Sequence, residues 1–141
     1  MNEIVCSGGL FLSRDTKRFL FLLRTQGKTA ESWGLVGGKK EPHDQSPYDT
    51  LIREVTEEVE KTPQIKKVVP LELFTSNDQH FQYNTYVLVV DREFIPTLNK
   101  EHGGYAWCDL GRWPRPLHRG VKISLSNKII KTKLELLLSL I

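Results

Sequence analysis

Three glutamates, Glu54, Glu57 and Glu58, are spaced so that a helix would carry them on one face, because residues three and four apart stand a turn above one another. Left alone the arrangement is unfavourable. Like charges at i, i+4 repel by roughly 0.2–0.5 kcal/mol, and Glu57, Glu58 and Glu60 fall near the expected helix end, where the macrodipole opposes negative charge. A divalent cation removes both penalties. Hard ions such as Mg²⁺ take a few carboxylate oxygens together with water and phosphate oxygens, so the cluster reads as a metal site for phosphate chemistry. The bland alternative is a solvated acidic helix face. Just upstream, Gly37-Gly38-Lys39 follows the short apolar run 33–36, so the chain can turn tightly and offer peptide groups and a lysine to an anion.

The elements that must position these residues follow from local signals. Ser46 suits an N-cap, Pro47 the first helical position and Asp49 the acid of a capping box. Thr62-Pro63 predicts the end of that helix. Leu51, Ile52, Val55 and Val59 recur at three- and four-residue steps and supply its core-facing stripe. Residues 4–12, 19–24, 68–75, 83–90 and 105–108 have the length and the β-branched or aromatic content of strands, and Asp15-Thr16-Lys17 marks a hairpin turn. From 126 to 141, Ile129, Ile130, Leu134, Leu137, Leu138 and Ile141 keep helical spacing and predict a second helix. A mixed sheet flanked by helices is the expected class.

Taken together, Gly37-Gly38-Lys39-Lys40-Glu41-Pro42 and Arg53-Glu54-Val55-Thr56-Glu57-Glu58 resemble the Nudix box: glycine, five residues, an acid, seven residues, then Arg-Glu-apolar-x-Glu-Glu-x-Gly. The match has departures. Counting from Gly38, the first acid is Asp44, and eight residues separate it from Arg53; keeping seven puts Gln45 at the acid position. The family's glycine after the paired acids is Glu60 here and the apolar residue after it is Lys61, so the helix must be capped differently.

The resemblance implies an α/β/α sandwich with a mixed sheet over a single domain, 1–141, and a MutT-like pyrophosphatase activity. It makes Glu54, Glu57 and Glu58 the metal ligands, with Glu54 also the candidate general base and Arg53 orienting it. Gly38 would add its carbonyl oxygen to the metal shell, and Lys39 would steady a phosphate. Glu101, in the glycine-containing loop before the 105–108 strand, is a further metal ligand or base, and its neighbour His102 a weaker candidate. Mg²⁺ is the expected cofactor, with Mn²⁺ the other cation such ligands accept. A diphosphate is anionic, so attack by water calls for cations that neutralise charge and lower the water's pKa. A modified or ordinary nucleoside triphosphate is the first substrate expectation, followed by ADP-ribose or a nucleotide sugar, then a dinucleoside polyphosphate. The alternative from another class is a non-catalytic module that senses a nucleotide or an RNA end.

Substrate recognition is expected outside the box. Tyr83 offers a face on which a base can stack and Asn84 a group that can read its edge; alternation puts Phe81, Tyr83 and Thr85 on one face of the strand and Tyr86 on the other. Arg112, Arg115, His118, Arg119 and Lys122 cluster in and around the 113–118 loop, where Arg115 and His118 would meet outer phosphates. The net charge of +3 arises from twenty bases interspersed with seventeen acids, so no stable nucleic-acid partner is expected. No apolar run approaches the roughly 20 residues that span a bilayer, and no leader opens the chain; the expected location is cytoplasmic. Cys6 and Cys108 lack a C-x-x-C spacing and read as reduced buried thiols. A homodimer is neither demanded nor excluded by the pattern.

Overall fold

The computed structural model describes residues 3–59 and 61–141. Among the described residues, seven strands and three helices follow in the order β1 (Ile4–Ser13), β2 (Phe19–Arg24), β3 (Trp33–Gly34), β4 (Val36–Lys39), α1 (Pro47–Glu58), β5 (Lys67–Thr75), β6 (Phe81–Val90), β7 (His102–Cys108), α2 (Arg119–Ser126) and α3 (Lys128–Leu140). The five expected strands form, several of them longer by one to three residues. The hairpin turn closes through Lys17 N–H donating to the Ser13 carbonyl at 2.8 Å.

The sheet is mixed and forked. β1 and β6 run parallel, paired from Ile4 with Phe81 to Ser13 with Val90, and β5 adds antiparallel beyond β6. The other edge of β1 is shared. Its first half pairs with β4, Cys6 with Lys39 through Gly9 with Val36, and its end pairs with β2 at Leu12 and Phe19. β2 then diverges and carries β3 and β7. The site lies at this fork.

Each sheet face buries its own core. α1 sets Leu51 and Val55, and Val59 just past its end, against Phe11, Leu22 and Leu88; α2 and α3 set Val121, Ile130 and Leu134 against Leu10, Phe21 and Val87. The result is the expected α/β/α sandwich, and the parts of β1 and β6 covered on both sides, Leu10 to Leu12 and Val87 to Val90, are continuous apolar runs for that reason.

Two helix boundaries differ from expectation. α1 ends at Glu58, not at Thr62-Pro63, because Val59 turns extended (φ −132°, ψ 85°), bridges Leu98 and buries its side chain in the core. Tertiary burial there overrides helical spacing; Glu60, where the family has glycine, lies outside the described residues. The C-terminal helix begins at Lys128, and a separate helix, α2, precedes it, starting just after the 113–118 loop. Asn127 divides them. It is extended, and its Oδ1 caps α3 by accepting from Ile129 N–H at 2.8 Å. Ile129, expected in the core stripe, faces outward. Cys6 and Cys108 are free thiols and half-buried rather than buried.

Candidate active site

α1 begins as its sequence requires. Ser46 Oγ accepts from Asp49 N–H at 3.1 Å, and the Asp49 carboxylate accepts from Gln45 N–H at 3.0 Å. The reach-back therefore goes one residue earlier than in a standard capping box. The helix rotation this fixes points Arg53, Glu54 and Glu58 at the fork.

Arg53 is held from several directions. Its Nη2 donates to Asp44 Oδ2 at 2.9 Å and to the Lys39 carbonyl at 2.9 Å, and its Nε to Asp44 Oδ1 at 3.1 Å. Nη1 donates to Glu54 Oε1 at 3.0 Å and to Glu57 Oε2 at 3.1 Å. Asp44 is buried, accepts also from Glu41 N–H and Thr50 Oγ1, and its pKa is held well below the usual carboxylate range by Arg53 first and the Glu41 amide second. Gln45 is exposed. Asp44, not Gln45, is therefore the acid in contact with Arg53, although eight residues separate the two.

The three glutamates do not all converge. Glu58 is 2% exposed and accepts from Gly37 N–H at 3.2 Å. Its pKa is pushed up to about 8 by burial, reinforced by the negative charges of Glu54 and Glu101 and opposed by the Gly37 amide and Arg24. Glu54 is also raised, again chiefly by burial, with Arg53 pulling the other way. Glu57 stands apart, its side chain half-exposed and turned to Arg53. Gly38 explains how Glu54 fits: a side chain there would overlap the Glu54 carboxylate. Among the described residues no three His, Cys, Asp or Glu side chains already stand together as a metal-binding group.

The loop before β7 is laced to the end of α1, with Asn99 Nδ2 donating to the Glu57 carbonyl at 3.3 Å. This brings the exposed Glu101 close enough for its charge to raise Glu58. His102 is 5% exposed, and neither ring nitrogen has a hydrogen-bond partner; burial, then Arg24, depresses its pKa. Arg24, at the end of β2, was not singled out by sequence. Its Nε is buried without a partner, and its charge reaches Glu58, Tyr83, His102 and His118. An arginine closing an apolar strand gives no local sign of such a setting.

On the α2 face of the sheet lies a cavity of about 530 Å³. Tyr83 and His118 line it, as do Cys6, Phe81 and Thr85. Tyr83 packs over Gly8, where a side chain would collide with its hydroxyl, and burial, with Cys6 and Glu58 beside it, raises its pKa. Asn84 faces away from Tyr83. Its Nδ2 bonds Gln82 Oε1 at 3.1 Å and the Cys6 carbonyl at 3.4 Å, so strand alternation separates the two residues that were expected to bind substrate together. Lys39 and Arg115 are exposed and neither lines the cavity. Arg119 and Lys122 belong to α2, whose N-cap is His118, Nδ1 accepting from Gly120 N–H at 3.2 Å.

The family model of the NUDIX domain matches residues 7–125. Among solved structures, a MutT NUDIX hydrolase from Burkholderia pseudomallei aligns with a TM-score of 0.73 at 22% identity, covering 91% of this chain and 99% of that one. The NUDIX domain of Shewanella oneidensis NrtR, complexed with ADP ribose, aligns with a TM-score of 0.70 at 14% identity over 96% of this chain and 90% of that one. A bifunctional NMN adenylyltransferase/ADP ribose pyrophosphatase from Francisella tularensis, complexed with AMP and Mn ion, gives 0.60 at 19% identity, over 88% of this chain and 41% of that one. At these identities the likeness is one of fold. Among curated proteins none matches this chain in sequence.

Proposed function

Because this chain belongs to the Nudix family of pyrophosphohydrolases, we propose that it hydrolyses a diphosphate linkage in a nucleoside diphosphate derivative, with Mg²⁺ as the cation and a modified nucleoside triphosphate as first candidate substrate. The observation that supports this reading is the pair at the fork: Glu58, buried and accepting from Gly37 N–H, and Glu54, partly buried against Gly38, both with raised pKa values. Two neighbouring carboxylates kept out of water cannot both ionise without a counter-charge, and Arg53 is already committed to Asp44, Glu54, Glu57 and the Lys39 carbonyl. A divalent cation suits the donor set: Glu54 and Glu58 as the core ligands, the Gly38 carbonyl beside them, and the exposed Glu57 and Glu101 completing it by rotamer change.

When bound, the cation neutralises charge on the diphosphate and makes water more acidic. The chain's own residues do the rest. Arg53, fixed by Asp44, is a positioning residue that holds Glu54, and Glu54 takes the proton of the attacking water. Arg24 supplies the unpaired donor for a phosphate oxygen, and Lys39, Arg115 and His118 meet the outer phosphates. The water oxygen bonds to one phosphorus of the linkage, the bridging P–O bond breaks with its electron pair staying on the departing phosphate oxygen, and one proton is released. No helix among the described residues is long and apolar enough to cross a membrane, and we place the reaction in the cytoplasm.

The test is release of phosphate or pyrophosphate from a panel of dNTPs, oxidised dNTPs, ADP-ribose, nucleotide sugars and dinucleoside polyphosphates, in Mg²⁺ or EDTA, with wild type, Glu54→Gln and Glu57→Gln. Metal-dependent turnover lost in the variants is expected. Tight nucleotide binding with no turnover on any member would replace the hydrolase with the sensing module.

A further inference from the structure

Beside the outermost strand, α3 keeps a carbon surface that nothing in the described chain covers. Ile129, Lys133, Leu136 and Leu140 recur along the helix at four-, three- and four-residue steps and so share one stripe, apart from the Ile130 and Leu134 side that packs on the sheet. Ile129, Leu136 and Leu140 are 66, 60 and 74% exposed. Lys133 breaks the stripe in sequence but not in space. Its Nζ donates to the Leu71 carbonyl of β5 at 3.1 Å, so the head is turned to the strand and the stem adds carbon. The same bond sets the stripe next to β5, which ends that side of the sheet and exposes 61% of Leu73. A groove of about 290 Å³ lies there, lined by Leu71, Leu73 and Tyr86 among others, and its charged residues are one of each sign, Glu72 and Lys133.

The composition of this surface selects its occupant. A lipid surface calls for basic residues flanking the carbon, but Thr132 and Ser139 flank the stripe on one side and β5 on the other, while Lys128 and Lys131 lie a quarter-turn or more further round the helix. A strand edge carries backbone donors and acceptors that another polypeptide meets. With Glu72 and Lys133 in balance, the patch can meet its own copy without net repulsion. A two-fold axis normal to the sheet keeps each face on its own side, so it brings β5 beside β5 and α3 onto α3. The four exposed side chains amount to on the order of 500 Å², against about 800 Å² from each partner in a stable interface, the remainder falling to the strand edges. We propose that this side of the molecule is the interface of a two-fold dimer, the α3 stripe lying on the same stripe of a second copy with the two β5 edges side by side. Pro70 and the register shift that follows it blunt the strand, and two-fold closure uses the patch up, so assembly stops at two.

The test is sedimentation velocity of the whole chain from micromolar to near-millimolar concentration. Wild type should sediment as a species of twice 16.3 kDa. Leu136→Lys and Leu140→Lys each bury an unpaired charge in the contact and should weaken association roughly a hundredfold or more, leaving monomers. Both positions are exposed in the single chain, so the variants should fold, which an unchanged circular dichroism spectrum verifies. Ile95→Lys serves as the control, since Ile95 is 79% exposed but lies in the segment between β6 and β7, and it should leave the dimer intact. A wild-type chain that stays monomeric at every concentration overturns the proposal. So does a dimer that survives both α3 substitutions, or one that Ile95→Lys dissociates equally.

Discussion

Two arginines flank the fork of the sheet, and the chain treats them oppositely. Arg53 is surrounded by partners of its own chain, bonded to Asp44, Glu54, Glu57 and the Lys39 carbonyl. Arg24 leaves Nε buried and unpaired, and its charge reaches a histidine with both nitrogens orphaned. Buried polar groups are nearly always satisfied in native proteins, so the difference separates scaffold from receptor. The Arg53 side is complete before anything binds, and it aims carboxylates. The Arg24 side holds buried nitrogens with no partner of the chain's own, and in the proposed reading a phosphate oxygen meets the Arg24 donor.

The comparison breaks most visibly through the carboxylates. Glu54→Gln should lower turnover by about 10³-fold, in the range seen for loss of a proton acceptor, with little change in melting temperature. Next come the arginine settings themselves. Asp44→Asn should cut kcat by about 10²-fold and also lower the melting temperature, because Arg53, Thr50 and the Glu41 amide lose a shared acceptor. Arg24→Ala should raise KM about tenfold, as loss of one charge-assisted bond to a phosphate would, and leave melting unchanged or higher. Equal thermal losses in the two variants, read by calorimetry, would erase the distinction between scaffold and receptor.

A smaller effect is set by pH. Glu58 keeps its proton to about pH 8 in the fold, against an ordinary value of 4.5. Between those values the native state binds more protons than the unfolded chain, so stability falls as pH rises. The metal-free melting temperature should therefore decline from pH 5 to pH 9, Glu58→Gln should flatten that decline, and saturating Mg²⁺ should offset it increasingly toward high pH, since the ionised carboxylate is the ligand. A melting curve series without that slope would mean Glu58 ionises normally. The smallest effect belongs to the cavity rim: Ile123→Ala should change stability by no more than about 0.5 kcal/mol, as for an exposed site, while shifting KM a few-fold.

What could be read from sequence was local. Ser46-Pro47 and Asp49 sit within a turn of what they cap, and Glu54 and Glu58 share a helix face, so spacing alone brought that pair together. Asp44 was ambiguous because a loop absorbs an extra residue invisibly; only its contact with Arg53 identifies it. Arg24, His102 and the cavity depend on strands distant in sequence, and nothing near them signals the meeting. Asn127 escaped notice because a single extended residue divides a pattern that is helical on both sides. Glu57 shows the converse: spacing placed it with Glu54 and Glu58, but the Arg53 guanidinium holds it outward.

The parallel pairing of β1 with β6 has a consequence for how such a chain can change. Along β6, Phe81, Tyr83 and Thr85 face the cavity and Val87 and Val89 the core under α2 and α3, while Leu88 and Val90 serve the layer under α1. Loss or gain of one residue within that strand would exchange the two sets, sending ring-bearing positions toward α1 and stripping the cavity. Replacement at alternate positions leaves both layers in place, and a change of length is accommodated at the turn at 76–80, where the chain reverses before β6 begins.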